Sequence, residues 1–277
     1  MAMNLFEANT GWCKEERRPR SELGRLAWHE GYFRVDSRDE NHWRRNLVEL
    51  KLRDIALFPL GELSGKRILD VGCGNGLYVL TFLKMDAQFV GGQDLSETHI
   101  QRLHEDCQAS GFSDKNYEIK RGDCAKLQFP DSSFDLVFSG DFFEHISEKT
   151  KEDVLREIYR VLKPGGKVVL KTPNLDYLRL IVFFRRCLAV LMFRAPWKIH
   201  VAHTRDNPDC EHFGLTNHRR LEALLWKNTF HEAKVVLTAV TRKGFPRWLG
   251  RLLGRFGVFN ETVILVAQKP IFLGFYP

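Results

Sequence analysis

Ile68 to Tyr78 read ILDVGCGNGLY. A β-branched apolar run is followed by an acid, three glycines at alternate positions and an apolar helical start. This order describes a buried strand, a tight turn whose backbone can touch a ligand, and a helix N-terminus directly beyond it. Asp70 sits at the strand end, and Gly72, Cys73, Gly74 and Gly76 belong to the turn. G-x-G-x-G alone is a weak nucleotide signature. The neighbouring segments therefore decide its meaning.

Gln88 to Asp94 (QFVGGQD) reads as a second strand ending in a carboxylate, placed to accept both hydroxyls of a ribose lying across the strand ends. A third strand, Tyr117 to Arg121, delivers Gly122-Asp123-Cys124. Its acid can accept from the exocyclic amino group of an adenine while the next backbone N–H donates to the ring. Phe134 to Ser139 continues the count as a fourth strand. Asp70, Asp94 and Asp123 thus close three successive strands on the carboxyl edge, where open α/β sheets bind ligands. A dinucleotide brings a pyrophosphate, and its turn avoids a carboxylate aimed at the phosphates. Asp70 instead suits a ligand carrying an amino group and a sulfonium, and S-adenosylmethionine (SAM) fits that description.

The chain resembles the class I, seven-strand SAM-dependent methyltransferases from about Leu63 onward. The resemblance rests on ILDVGCGNG (Ile68 to Gly76), GGQDLS (Gly91 to Ser96), GDC (Gly122 to Cys124), FDLVFSGDFFEHI (Phe134 to Ile146) and REIYRVLKPGGKVVLKTPN (Arg156 to Asn174). It implies an α/β fold, a Rossmann-like three-layer sandwich whose seven-stranded sheet is mostly parallel with one antiparallel strand. It also implies that Asp70, Gly72 and Gly74 cradle the methionine part, and that Cys73, Gly76 and Ser139 belong to the same cofactor site. Asp94 would hold the ribose, Asp123 and Cys124 the adenine, and Leu95 would pack on the adenine face. Gln93 departs from the pattern, since the family usually has an apolar residue before that acid.

With 277 residues, the chain suits one such domain with an added cap. Residues 1–62 are expected to form an N-terminal helical cap, and 63–277 the methyltransferase domain, with amphipathic insertions at about 175–212 and 242–258. Trp28, His29, Tyr32 and Phe33 either line the acceptor pocket or pack on the core, and a helix is expected over Asn41 to Phe58. Six cysteines show no paired spacing and no C-x-x-C, which argues against a disulfide framework or a zinc site. The N-terminal residues lack the apolar core of a signal peptide, so a cytoplasmic location is expected. A net charge of +7 is modest for this length, and no RNA-binding module is recognisable, so nucleic acid is not the expected partner.

Two basic amphipathic stretches stand out. Leu175 to Lys198 (LDYLRLIVFFRRCLAVLMFRAPWK) is interrupted by Arg179, Arg185, Arg186 and Arg194, and so falls short of the roughly 20 apolar residues needed to cross a bilayer. At about 100° per residue, Arg179, Arg186 and Arg194 fall within a sector of about 80°. Pro246 to Phe256 repeats the idea, with Arg247, Arg251 and Arg255 opposite Trp248, Leu249, Leu252 and Phe256. Such segments suit an anionic membrane surface, where each basic residue contributes about 1 kcal/mol. A lid or a dimer contact is the competing reading.

Methyl transfer is an in-line displacement, and a hydroxyl acceptor must also lose a proton. The loop after strand four, Ser139 to Ile146, carries His145, whose ordinary pKa of about 6.5 suits a general base. The other reading of Glu144-His145 is structural, holding the loop on the sheet. Asp141, Glu144 and His145 resemble the acid, acid, histidine cluster of the ubiquinone-biosynthesis O-methyltransferases, where a divalent cation assists the acceptor hydroxyl. That likeness makes Asp141, Glu144 and His145 candidate ligands for Mg²⁺, Mn²⁺ or Zn²⁺. His212 joins Glu144 and His145 as a catalytic candidate from a polar cluster with His200, His203, Asp209 and Glu211. The expected activity is O-methylation of a small or lipid-associated acceptor such as a prenylated ring, glycolipid or lipid-linked sugar. A soluble natural-product or sugar O- or N-methyltransferase, and an inactive SAM-binding regulatory partner, remain as alternatives.

Overall fold

The computed structural model describes residues 60–199, 201, 212, 214–236 and 262–271. The expected cap up to residue 59, the Pro246 to Phe256 stretch, and His200, His203, Asp209 and Glu211 lie outside these residues.

Seven strands form one sheet: β1 (Arg67–Val71), β2 (Phe89–Asp94), β3 (Tyr117–Arg121), β4 (Phe134–Gly140), β5 (Leu162–Pro173), β6 (His231–Val236) and β7 (Thr262–Gln268). Their spatial order is β3-β2-β1-β4-β5-β7-β6. The first five run parallel, and β7 inserts antiparallel between β5 and β6, with Lys167 opposite Gln268 and Thr172 opposite Val263. The order reverses at β1, which pairs with β2 on one side and β4 on the other, and that reversal opens the ligand crevice.

The described helices are α1 (Leu77–Lys84), α2 (Glu97–Ala109), α3 (Glu148–Val161), α4 (Leu175–Leu191) and α5 (His218–Lys227). Alternation along β1 divides the core. Ile68 packs with Val79, Phe82 and Leu103 of α1 and α2, whereas Leu69 and Val71 pack with Val154, Ile158, Leu221 and Leu225 of α3 and α5. Strands β1 and β4 are buried on both faces along most of their length, and their apolar residues accordingly fall on both sides of the sheet. Ser96, Ser147, Asn174 and Asn217 each accept a backbone N–H at the start of α2, α3, α4 and α5.

Lys163-Pro164-Gly165-Gly166 has the composition of a turn, yet it is part of β5. Gly165 takes φ 77, and main-chain bonds of 2.9 Å from Gly165 N to Lys269 O and from Lys269 N to Gly166 O keep this stretch on the sheet as a bulge. The wheel that grouped Arg194 with Arg179 and Arg186 fails because α4 stops at Leu191 and Phe193 turns left-handed at φ 53. A 3₁₀ turn, Pro196–Lys198, then folds back, and Arg186 Nε donates to Ile199 O at 2.9 Å.

Helix α4 exposes apolar and basic groups together, opposite a side buried at Leu175, Val182 and Ala189. Phe193 and Trp197 are 101% and 71% exposed, Phe183, Phe184 and Leu191 are also open, and Arg179, Arg185, Arg186 and Arg194 of the same segment are exposed as well. The root of this helix is fixed. Asn174 bridges to Thr216, Leu175 N donates to Thr216 O at 3.0 Å, and Asn217 Nδ2 donates to Asp176 Oδ1 at 3.2 Å. No described helix is long and apolar enough to cross a membrane.

Candidate active site

The glycine bend between β1 and α1 lies at the reversal of strand order. Gly72 and Gly76 take φ 70 and 74, and neither position accepts a side chain. A Cβ on Gly72 would lie 2.3 Å from the Phe142 ring, and one on Gly76 would lie 2.1 Å from Leu103 Cδ1. Gly74 faces open space, as a backbone approached by a ligand must. Helix α1 begins with no side-chain cap and no acid in its first turn, which leaves donors and the positive end of its dipole at the bend.

The acids expected to rim the bend are there. Asp70 is 1% exposed at the end of β1. Asp94 Oδ2 accepts Gly74 N–H at 2.9 Å, and its Oδ1 accepts Ser96 N–H at 3.0 Å. Burial pushes the Asp94 carboxyl upward, but the neighbouring His99 imidazole and these two N–H donors outweigh it and hold the pKa below the ordinary aspartate value. His99 Nδ1 stands 3.9 Å from Asp94 Oδ1. A carboxylate kept ionised at the end of β2 is suited to a pair of ribose hydroxyls.

Asp123 begins a turn in which Ala125 N donates to its Oδ1 at 2.9 Å, and Cys124 is buried beside it. Burial and the nearby Asp94 push both the Cys73 and Cys124 thiols well above their usual range, so both stay protonated in the wall of the bend. Leu95 is half-buried next to Asp94. Ser139 is fully buried, and its hydroxyl donates to Val71 O at 2.9 Å, which ties β4 to the end of β1.

The acceptor side is built on the turn after β4. Asp141 takes φ 57, its backbone N–H donates to Lys171 O at 2.8 Å, and its carboxylate pairs with the Lys171 ammonium. It stands apart from the cluster in which the sequence reading had placed it. Glu144, His145 and His212 each offer one ligand atom, and these atoms lie within 4.8 Å of one another. The His145 and His212 rings meet edge to face at 4.7 Å between centroids. Glu144 is 1% exposed and accepts from Thr172 Oγ1 at 3.0 Å. Burial, reinforced by the Asp141 charge, pushes Glu144 up to about 7. Of the two phenylalanines, Phe142 packs on the glycine bend, whereas Phe143 is 1% exposed in the core under α3.

Sequence reasoning missed what brings His212 to this turn. Gly214 N donates to Glu144 O at 2.8 Å, and a Cβ at Gly214 would lie 2.0 Å from Ile146 O, so only glycine lets the loop seat so closely. Lys151, fully buried on α3, donates to Gly214 O at 2.5 Å and to Glu148 Oε1 at 2.7 Å. A lysine on the apolar side of a helical pattern was the available signal, because a buried ammonium requires such partners.

Comparison with known proteins follows the same lines. A family described as "Methyltransferase domain" matches residues 68–166. Ubiquinone biosynthesis O-methyltransferase of Neisseria meningitidis is 32% identical over 67% of this chain and 82% of its own length. Sterol 24-C-methyltransferase of Gibberella zeae is 33% identical over 60% of this chain and 38% of its own length. The chain spans less than half the length of several such curated relatives. A SAM-dependent methyltransferase structure from Mesorhizobium loti shares the fold with a TM-score of 0.54 at 21% identity, covering 80% of this chain and 98% of that one. The glycine bend, the ionised Asp94 and these likenesses agree: the chain belongs to the class I SAM-dependent methyltransferases.

Proposed function

We propose that the protein transfers a methyl group from SAM to a hydroxyl of a small or lipid-associated acceptor. The observation that carries this reading is the convergence of Glu144, His145 and His212 on the same sheet edge as the glycine bend, linked to it through Phe142 on Gly72. In this reading Asp70, Gly72 and Gly74 hold the methionine end, Asp94 the ribose, and Asp123 with Cys124 the adenine. SAM supplies the methyl group on its sulfonium. His145 or its neighbour His212 removes the acceptor proton, and Glu144, held by Thr172, fixes the turn that carries His145.

Two imidazoles and a carboxylate also form a donor set suited to a divalent cation, and to Mn²⁺ or Zn²⁺ better than to Mg²⁺. Glu144, His145 and His212 would hold such an ion, which would lower the pKa of an acceptor hydroxyl and would replace, not accompany, the imidazole base described above. His212 takes the place that the sequence reading gave to Asp141. The open apolar surface of α4, set among arginines, supports a peripheral position on an anionic membrane face in the cytoplasm.

The deciding experiment supplies labelled SAM, lipid extracts, quinol precursors and sugars, with and without Mn²⁺ or Zn²⁺, and follows the label into product. A labelled ether product that disappears with His145→Ala supports the reading. SAM binding without product across these pools supports a regulatory SAM-binding partner instead. Flotation with phosphatidylglycerol vesicles and its loss in Phe183→Glu/Leu191→Glu test the membrane position; protein that stays with the soluble fraction removes it and favours the soluble small-molecule enzyme.

A further inference from the structure

Gln93 stands where the family usually has an apolar residue, and it is fully buried. A buried amide is costly unless its donors and acceptors are used. Here Nε2 donates to Asp123 O at 2.8 Å and to Lys126 O at 3.1 Å, and Oε1 accepts Gln128 N–H at 2.9 Å. Two carbonyls and one N–H thereby fix which end of the amide faces which way. All three partners lie in the loop that follows β3, the loop assigned to adenine.

The main chain of the same residue reaches the other half of the cofactor site. Gln93 O accepts from Gly72 N at 2.9 Å, from Cys73 N at 3.2 Å and from Cys124 Sγ at 3.5 Å. The next residue, Asp94, accepts Gly74 N–H. Gln93 is therefore bonded at once to the glycine bend and to the adenine-side loop. That loop is held on its far side by α3: Leu127 N donates to Glu157 Oε2 at 2.8 Å, and Arg160 donates to Leu127 O at 2.8 Å and Phe129 O at 2.9 Å. A leucine at 93 would fill the space but remove the amide's bonds to the Lys126 carbonyl and the Gln128 N–H and one of two to the Asp123 carbonyl, which also accepts Lys126 N–H at 2.9 Å.

We propose that Gln93 is a positioning residue for the cofactor, which presets the Asp123 to Gln128 loop against the glycine bend so that adenosine meets a formed pocket. A loop ordered in advance does not charge its ordering to the binding step. The inference rests on the assignment of Asp123 and Cys124 to the adenine.

The test is calorimetry of Gln93→Met, which keeps length and removes the amide, with SAM and with 5′-deoxy-5′-methylthioadenosine, which lacks the amino-acid part. Both ligands are expected to lose at least tenfold in affinity, by the same factor, as the loss of two or more buried hydrogen bonds implies. A folded variant that binds methylthioadenosine within twofold of wild type overturns the proposal, even if its Tm falls. Hydrogen exchange on unliganded wild type needs no variant: a protected Gln128 amide supports a preset loop, and free exchange there overturns it. Asp123→Ala run in parallel separates the two claims, since unchanged methylthioadenosine binding in that variant removes the adenine assignment itself.

Discussion

The Lys151 ammonium donates to the Gly214 carbonyl from a side chain with no exposed area, and so joins α3 to the loop that carries His212. Burial lowers the Lys151 pKa, and Glu148 opposes that shift by hydrogen bond and charge. Lys151→Met removes both bonds and leaves Gly214 O without this donor. The expected loss is about 1–3 kcal/mol, read as a lower urea midpoint, with weaker cobalt binding by the Glu144, His145 and His212 set. Unchanged stability together with unchanged metal affinity would show that the lysine is dispensable to the site.

Glu144 gives the stability curve a slope of definite sign. Its carboxyl titrates near 7 in the folded chain and from an ordinary value of 4.5 when solvated. The folded state therefore holds the extra proton between these values, and the contribution is fully present below 4.5 and lost as pH rises through 7. The loss is at most about 3 kcal/mol, from about 1.36 kcal/mol per unit of pKa difference. Urea titrations of metal-free protein at pH 5 and pH 8 are expected to show wild type weakening more than Glu144→Gln, which lacks the titration. Parallel curves for the two proteins would place Glu144 in contact with water.

Asp94 works in the opposite direction. Its carboxyl lies below the ordinary value in the folded chain, so its contribution exists above about pH 4 and vanishes as pH falls through the folded pKa. Asp94→Asn keeps the shape, removes the charge and weakens the bonds from Gly74 and Ser96. SAM affinity is expected to fall by about tenfold to hundredfold, the equivalent of one or two charge-assisted hydrogen bonds. A dissociation constant within twofold of wild type would remove Asp94 from the cofactor site.

Gly72 and Phe142 form a pair that a double-mutant cycle can isolate. Gly72→Ala forces its methyl into the Phe142 ring and also strains φ 70 by about 1–2 kcal/mol. Phe142→Ala removes the first cost and leaves the second. The double variant should recover part of the SAM affinity lost by Gly72→Ala, with a coupling of about 0.5–3 kcal/mol by calorimetry. Strict additivity would mean that the ring and the bend do not meet in solution.

How far the sequence disclosed this molecule depends on where each signal resides. The strand Tyr117–Arg121 matches its expected limits because apolar alternation and flanking polar residues are local. Lys163 to Gly166 carries a turn composition, yet long-range bonds to Lys269 hold it on the sheet. Arg194 obeyed a helical period beyond the point where the helix ends. The placing of Asp70, Asp94 and Asp123 on one edge of the sheet was legible because these acids lie at or just beyond the ends of consecutive strands. The meeting of His145 with His212 was not, for it depends on a glycine whose need is steric and on a lysine whose partner is remote in sequence.

Helix α4 and the His212 loop grow from a common root, through the Asn174 bridge to Thr216 and the Leu175 and Asn217 bonds. Seventeen residues at about 1.5 Å each make a rod of about 25 Å whose pivot is that root. The bare tip at Leu191 and Phe193 and the loop that carries His212 are therefore both moored to a single point of the sheet, the end of β5 at Asn174.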